Sequence, residues 1–91
     1  MSLDEVRAAI DGIDDQIVAL LAQRQQHVKA AAGYKTDEAS VRAPVRRAAL
    51  MARLRERATE EGVDPVVVAV TYTAMVDAFT ALEMRERQSV R

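Results

Sequence analysis

Arg24 stands where an apolar residue belongs. Ile10, Ile13, Ile17 and Leu20 recur every three or four residues, Arg24 takes the next place in that row, and Val28 resumes it four residues later. A guanidinium turned into an apolar seam is costly unless it is paired, so it must meet a carboxylate of the protein or an anionic ligand. Arg7 lies near the start of the same stretch, beside Val6 and one turn before Ile10. Lys35 stands at its far end, and Arg46 and Arg47 follow closely on Pro44. Guanidinium groups offer paired hydrogen bonds matched to carboxylates and lysine supplies a mobile point charge, so Arg7, Arg24, Lys35, Arg46 and Arg47 suit the capture of a small dianion. The plainer alternative makes Arg46, Arg47, Arg53, Arg55 and Arg57 a solvated face paired with Glu56, Glu60 and Glu61 at helical spacing.

Glu83 is the matching oddity among the acids. It follows Phe79 by one turn and Leu82 by one residue, at the border of an apolar face where burial favours the neutral acid, which donates a hydrogen bond. The alternative is an ion pair with Arg87, four residues on. His27, the one histidine, has no acidic or nucleophilic neighbour in sequence and reads as a surface or boundary side chain. No Ser-His-Asp set, metal-ligand cluster or glycine-rich phosphate loop occurs, so neither a metal nor another cofactor is expected.

Three helices must position these groups. Ser2 and Glu5 have the spacing of a capping box, and the apolar row Leu3, Val6, Ile10, Ile13, Ile17, Leu20, Leu21 and Val28 carries a first helix to Gly33 through Gly12. Residues 35–42 lack an apolar period and read as a loop. Pro44 opens a second helix that Gly62 stops, and Asp64-Pro65 caps and opens a third, with Val68, Tyr72, Met75, Val76, Phe79 and Leu82 on its apolar side and a polar tail from Arg85. The expected fold is all-α, one domain over residues 1–91.

The whole composition narrows the function. Thirteen Lys and Arg against fourteen Asp and Glu, with three aromatic residues, argue against a nucleic-acid partner. Unbroken apolar runs are far shorter than a membrane span, and the first residues do not resemble a signal peptide. With no cysteine, the expectation is a cytoplasmic protein without a membrane partner.

A first helix of about 31 residues is roughly 47 Å long, against about 30 Å for a compact sphere of this chain length. Its apolar row would overhang its own domain, and a symmetric homodimer is the simplest cover; a break at Gly12 that folds the helix back is the alternative. Arg7 and Arg24 lie roughly 25 Å apart along one helix, too far to share a small ligand within one chain. Two first helices paired head to tail bring Arg7 of one chain towards Arg24 of the other and create two equivalent sites.

In order and spacing, Arg7, Ile10-Asp11, Ile13-Asp14, Arg24, Val28-Lys29, Lys35, Ala43-Pro44, Arg46, Gly62-Val63-Asp64 and Glu83 resemble the all-helical chorismate mutase family over nearly the whole chain. Val28-Lys29-Ala30-Ala31, Glu38-Ala39 and Ala43-Pro44-Val45-Arg46 are similar to the branch that contains isochorismate pyruvate lyase. The resemblance implies an intertwined homodimer of three-helix chains. It also implies that Arg24 and the partner's Arg7 clamp two substrate carboxylates, that Lys35 contacts the ether oxygen and a carboxylate, that Arg46 supports the anion, and that Glu83 faces the same oxygen. Two positions depart from the family pattern: Arg47 stands where many members have a Glu that holds the ring hydroxyl, and Ala43 where an Asp is common.

The expected reaction is the cofactor-free rearrangement of chorismate to prephenate, with Arg24, Lys35 and Glu83 as the catalytic groups. Alternatives on the same scaffold are formation of salicylate and pyruvate from isochorismate, or mutase action on 4-amino-4-deoxychorismate, since all three substrates share the two carboxylates and the enolpyruvyl ether. A helical dimer that binds another protein is the non-enzymatic alternative.

Overall fold

A computed structural model of the chain describes residues 1–89. Three long helices and one short turn make up the fold: α1 (Leu3–Ala32), α2 (Glu38–Arg42), α3 (Pro44–Glu61) and α4 (Pro65–Ser89). The ends lie where local chemistry puts them. Ser2 Oγ accepts from the Glu5 N–H at 3.1 Å and Asp64 Oδ1 from the Val66 N–H at 2.9 Å, each satisfying an orphan donor of a first turn. Gly62 ends α3 at φ 73, a left-handed conformation that glycine adopts without steric cost. α1 runs unbroken through Gly12, so the fold-back alternative does not occur.

The stretch expected as a loop contains α2. Asp37 Oδ1 accepts from both the Ser40 N–H at 2.7 Å and the Ser40 hydroxyl at 2.6 Å, Arg42 pairs with Glu38, and buried Val41 anchors the turn. Five residues are too few to show a period, which is why the pattern alone reads as loop. The hydrogen bond from the Ser40 side chain, followed by that from its backbone, holds the Asp37 carboxyl below its ordinary value. Ala43 then joins α2 to α3 at φ 39, ψ 62, an uncommon left-handed conformation for a non-glycine residue.

α4 is the hub, packing against α1, α2 and α3. Buried apolar residues among those described are Val41, Leu50 and Ala58, and α1 buries none. The molecule extends 54 × 26 × 15 Å with a radius of gyration of 16.0 Å, whereas about 12 Å is usual at this length. Its accessible surface is 7016 Å², against about 5,200 Å² for a compact monomer of this mass.

Much of the excess is apolar. Leu3, Val6, Ile10, Ile13, Ile17 and Leu20 lie exposed along α1, as do Val66, Val67 and Val70 on α4. Pro65–Arg87 reaches a mean hydropathy of 1.6, long and apolar enough to cross a membrane by length and composition. This differs from the expectation drawn from unbroken apolar runs, because Thr71, Thr73, Asp77 and Thr80 break the runs while the Val, Ala, Met and Phe between them keep the average high. α1, α2 and α3 all pack against α4, yet Val66, Val67 and Val70 near its start stay exposed.

Candidate active site

Where the C-terminal half of α1 meets α2, the start of α3 and the middle of α4, the helices line an open cavity of about 310 Å³. α1 contributes Arg24, His27 and Val28; Lys35 comes from the segment after α1, Arg42 from α2, Arg46 and Arg47 from α3, and Phe79, Thr80 and Glu83 from α4. Five of the residues expected to handle an anion, Arg24, Lys35, Arg46, Arg47 and Glu83, thus converge on one space. Arg7 does not: it is exposed in the second turn of α1, about 25 Å along the helix from Arg24.

Arg24 is half-buried, and its guanidinium carbon sits 4.8 Å from the centroid of the Phe79 ring. The face of the ring carries partial negative charge and holds the cation without consuming its hydrogen bonds. Its apolar register therefore brings Arg24 over an aromatic ring, a third possibility beside the carboxylate and the ligand.

Lys35 follows a tight turn in which the Tyr34 and Lys35 N–H groups bond to the Ala31 and Ala32 carbonyls. Its Nζ donates to Glu83 Oε2 at 2.7 Å. Glu83 is 7% exposed, the buried charged residue among those described. The alternative pairing of Glu83 with Arg87 is not the one that forms. Arg87 instead donates to the Thr36 carbonyl at 3.2 Å, so α4 fastens the Lys35 segment at two points.

Arg47, read from sequence as either a ligand group or part of a solvated face, lines the cavity and reaches across to α4, where Nη1 lies 2.7 Å from Asp77 Oδ1. The solvated face exists further along α3, where Arg57 pairs with Glu60 and Glu61. Arg46 is exposed at the cavity margin.

Sequence reasoning missed Arg42, His27 and Thr80. Arg42 lay hidden in the supposed loop. His27 carried a signal, since it is three residues after Arg24 and so shares that side of α1. Among the described residues no three His, Asp or Glu side chains converge as a metal site requires. The lining as a whole carries five cations against the single Glu83 carboxylate, which suits a compact ligand with more than one negative charge.

Comparison with known proteins points the same way. Residues 6–84 match the family described as chorismate mutase type II. Isochorismate pyruvate lyase of Pseudomonas aeruginosa is 34% identical over 89 residues, covering 98% of this chain and 88% of that protein.

Proposed function

The chain belongs to the chorismate mutase type II family, and on that footing we propose that it catalyses the rearrangement of chorismate to prephenate. In this reaction the ether C–O bond breaks while a C–C bond forms between the enolpyruvyl methylene and the ring. No atom is gained or lost, and no nucleophile is required. The protein has to hold the extended substrate in its compact conformer and stabilise the negative charge that grows on the ether oxygen. The observation that carries the reading is the cluster of Arg24, Lys35 and Arg46 beside buried Glu83 in a cavity of about 310 Å³.

In this proposal Arg24 binds one carboxylate and Arg46 supports the anion. Lys35 has three N–H donors, one of them directed at Glu83, which leaves donors for the ether oxygen and a carboxylate. Glu83 stands on the other side of that oxygen and orients the Lys35 ammonium towards it.

The second carboxylate is held by Arg7 of a second copy, in a homodimer whose first helices run head to tail. Support comes from the surface excess: 7016 Å² exceeds the compact expectation by about 1,800 Å² per chain, so a pair could bury about 3,600 Å², within the range of obligate dimers.

A second reading, conversion of isochorismate to salicylate and pyruvate, is favoured by the 34% identity to a protein named for that lyase activity. There the same C–O bond breaks while a ring hydrogen moves to the enolpyruvyl methylene. Purified protein supplied separately with chorismate and isochorismate, with products resolved by chromatography, decides between them. Prephenate from chorismate supports the first reading, salicylate from isochorismate replaces it with the second, and no product above the spontaneous rate overturns both. Glu83→Gln, which keeps an N–H donor, is expected to retain turnover within about tenfold of wild type, whereas Glu83→Ala loses about 100-fold. Equal loss in both variants would remove any role for a hydrogen-bonding group at this position.

A further inference from the structure

The lining of the cavity is dominated by cations. Arg24, Lys35, Arg42, Arg46 and Arg47 line it against one carboxylate, Glu83, which already accepts from Lys35 at 2.7 Å. Asp77 and Glu38, which pair with Arg47 and Arg42, are not among the lining residues, and their side chains are 62% and 64% exposed. They hold these guanidiniums from outside the cavity and leave its interior cationic.

Such an interior treats a hydroxyl and an ammonium very differently. A hydroxyl on the ligand ring accepts from any guanidinium N–H and donates to Thr80 Oγ1. An ammonium has three donors and no lone pair, so it gains nothing from the arginines. The one lining carboxylate is engaged by Lys35, and the four surrounding guanidiniums repel the charge. Desolvating a cation without a counter-ion is strongly unfavourable.

We infer that the cavity reads the charge of the ring substituent: it accepts enolpyruvyl cyclohexadiene dicarboxylates that carry a hydroxyl and excludes 4-amino-4-deoxychorismate, whose ring carries an ammonium. This rests on the proposed function for the ligand skeleton but makes a separate claim about the substituent. Arg47 is the specificity-determining residue. It is a lining cation whose guanidinium pairs with Asp77 at 2.7 Å, which favours its place at the cavity wall.

The experiment compares kcat/KM for chorismate, isochorismate and 4-amino-4-deoxychorismate at low salt, in wild type, Arg47→Gln and Arg53→Gln. Arg53 is exposed on α3 outside the cavity lining, so the two variants lose the same charge from different places. Wild type is expected to favour the better hydroxyl substrate over the amino compound at least tenfold. Arg47→Gln narrows that preference at least threefold and Arg53→Gln leaves it within twofold. Equal or better use of the amino compound by wild type overturns the inference, as does an equal response of the ratio in the two variants. If no compound turns over, calorimetry of the same three compounds decides. Binding selective for the hydroxyl compounds then upholds charge reading while sinking the proposed reaction, and binding without preference overturns it. Circular dichroism of Arg47→Gln establishes its folding; if it is not folded, Arg42→Gln, the other lining arginine paired from outside, takes its place under the same criteria.

Discussion

From Leu3 to Leu20 every residue of α1 is exposed, whereas from Leu21 onward the positions Leu21, Arg24, Val28 and Ala32 are half-buried at spacings of three and four. One continuous helix with one apolar period therefore has two environments. The later half lies beside α4, with Arg24 on Phe79 and Lys29 3.4 Å from Glu86. The earlier half has the same row of Val6, Ile10, Ile13 and Ile17, and there the row is exposed. The contrast teaches that local propensity and capping suffice to specify α1, while tertiary cover decides where chemistry can be assembled. The chain lines a cation-rich cavity with one half and leaves the other half, with Arg7, exposed.

The largest expected effect lies in the covered half. Lys35→Ala removes the donor closest to buried Glu83 and is expected to lower kcat by about 10²–10³-fold in steady-state kinetics, the range for losing one preorganised donor. A loss below about threefold would mean that the cavity is not the reacting site.

Next is the bare half. Ile13→Asp combined with Ile17→Asp puts two charges on the exposed row and touches no lining residue. Sedimentation is expected to show a shift from dimer to monomer, with activity falling about 100-fold because Arg7 no longer reaches a second chain. Unchanged mass and activity would make the row an ordinary solvent face and abolish the distinction between the halves.

Much of this was legible because helix ends are local chemistry. Ser2, Gly33, Pro44, Gly62 and Asp64-Pro65 mark termini by hydrogen bonds or dihedral limits that neighbouring residues decide. Arg24 was legible because it breaks a period. α2 was not, since it depends on an Asp37 side chain folding back on Ser40 and on Val41 docking against the rest of the chain. Nor was the Lys35–Glu83 pair, 48 residues apart in sequence, because spacing along a helix says nothing of contacts between helices. The same limit applies to Arg47, whose spacing along α3 allows surface pairing while Asp77 on another helix draws it across the cavity wall.

Two smaller predictions sharpen the comparison. Nothing lies within 4 Å of a Cβ built on Gly12, so Gly12→Ala in the bare half is expected to stabilise by about 1 kcal/mol in chemical denaturation, from helix propensity alone. Destabilisation would place another chain close against that glycine. At the covered end, the Asp37 carboxyl is held below its ordinary value when folded. Its contribution is therefore present above the unfolded-state value and lost as pH falls through the lower folded-state value. Asp37→Ala is expected to lower the melting temperature slightly at pH 7 and not at all once the pH is below both values. A difference that persists in acid would assign its effect to something other than the charged cap.

Mixing two inactive variants asks whether Arg24 and Arg7 of different chains complete one site. Arg7→Ala and Arg24→Ala proteins, unfolded together in equal amounts and refolded, form a statistical population in which half the dimers are mixed, and each mixed dimer has one site with both arginines intact. Recovery of about a quarter of wild-type activity is predicted by a two-fold dimer with shared sites. A mixture no more active than its parents would contradict the account.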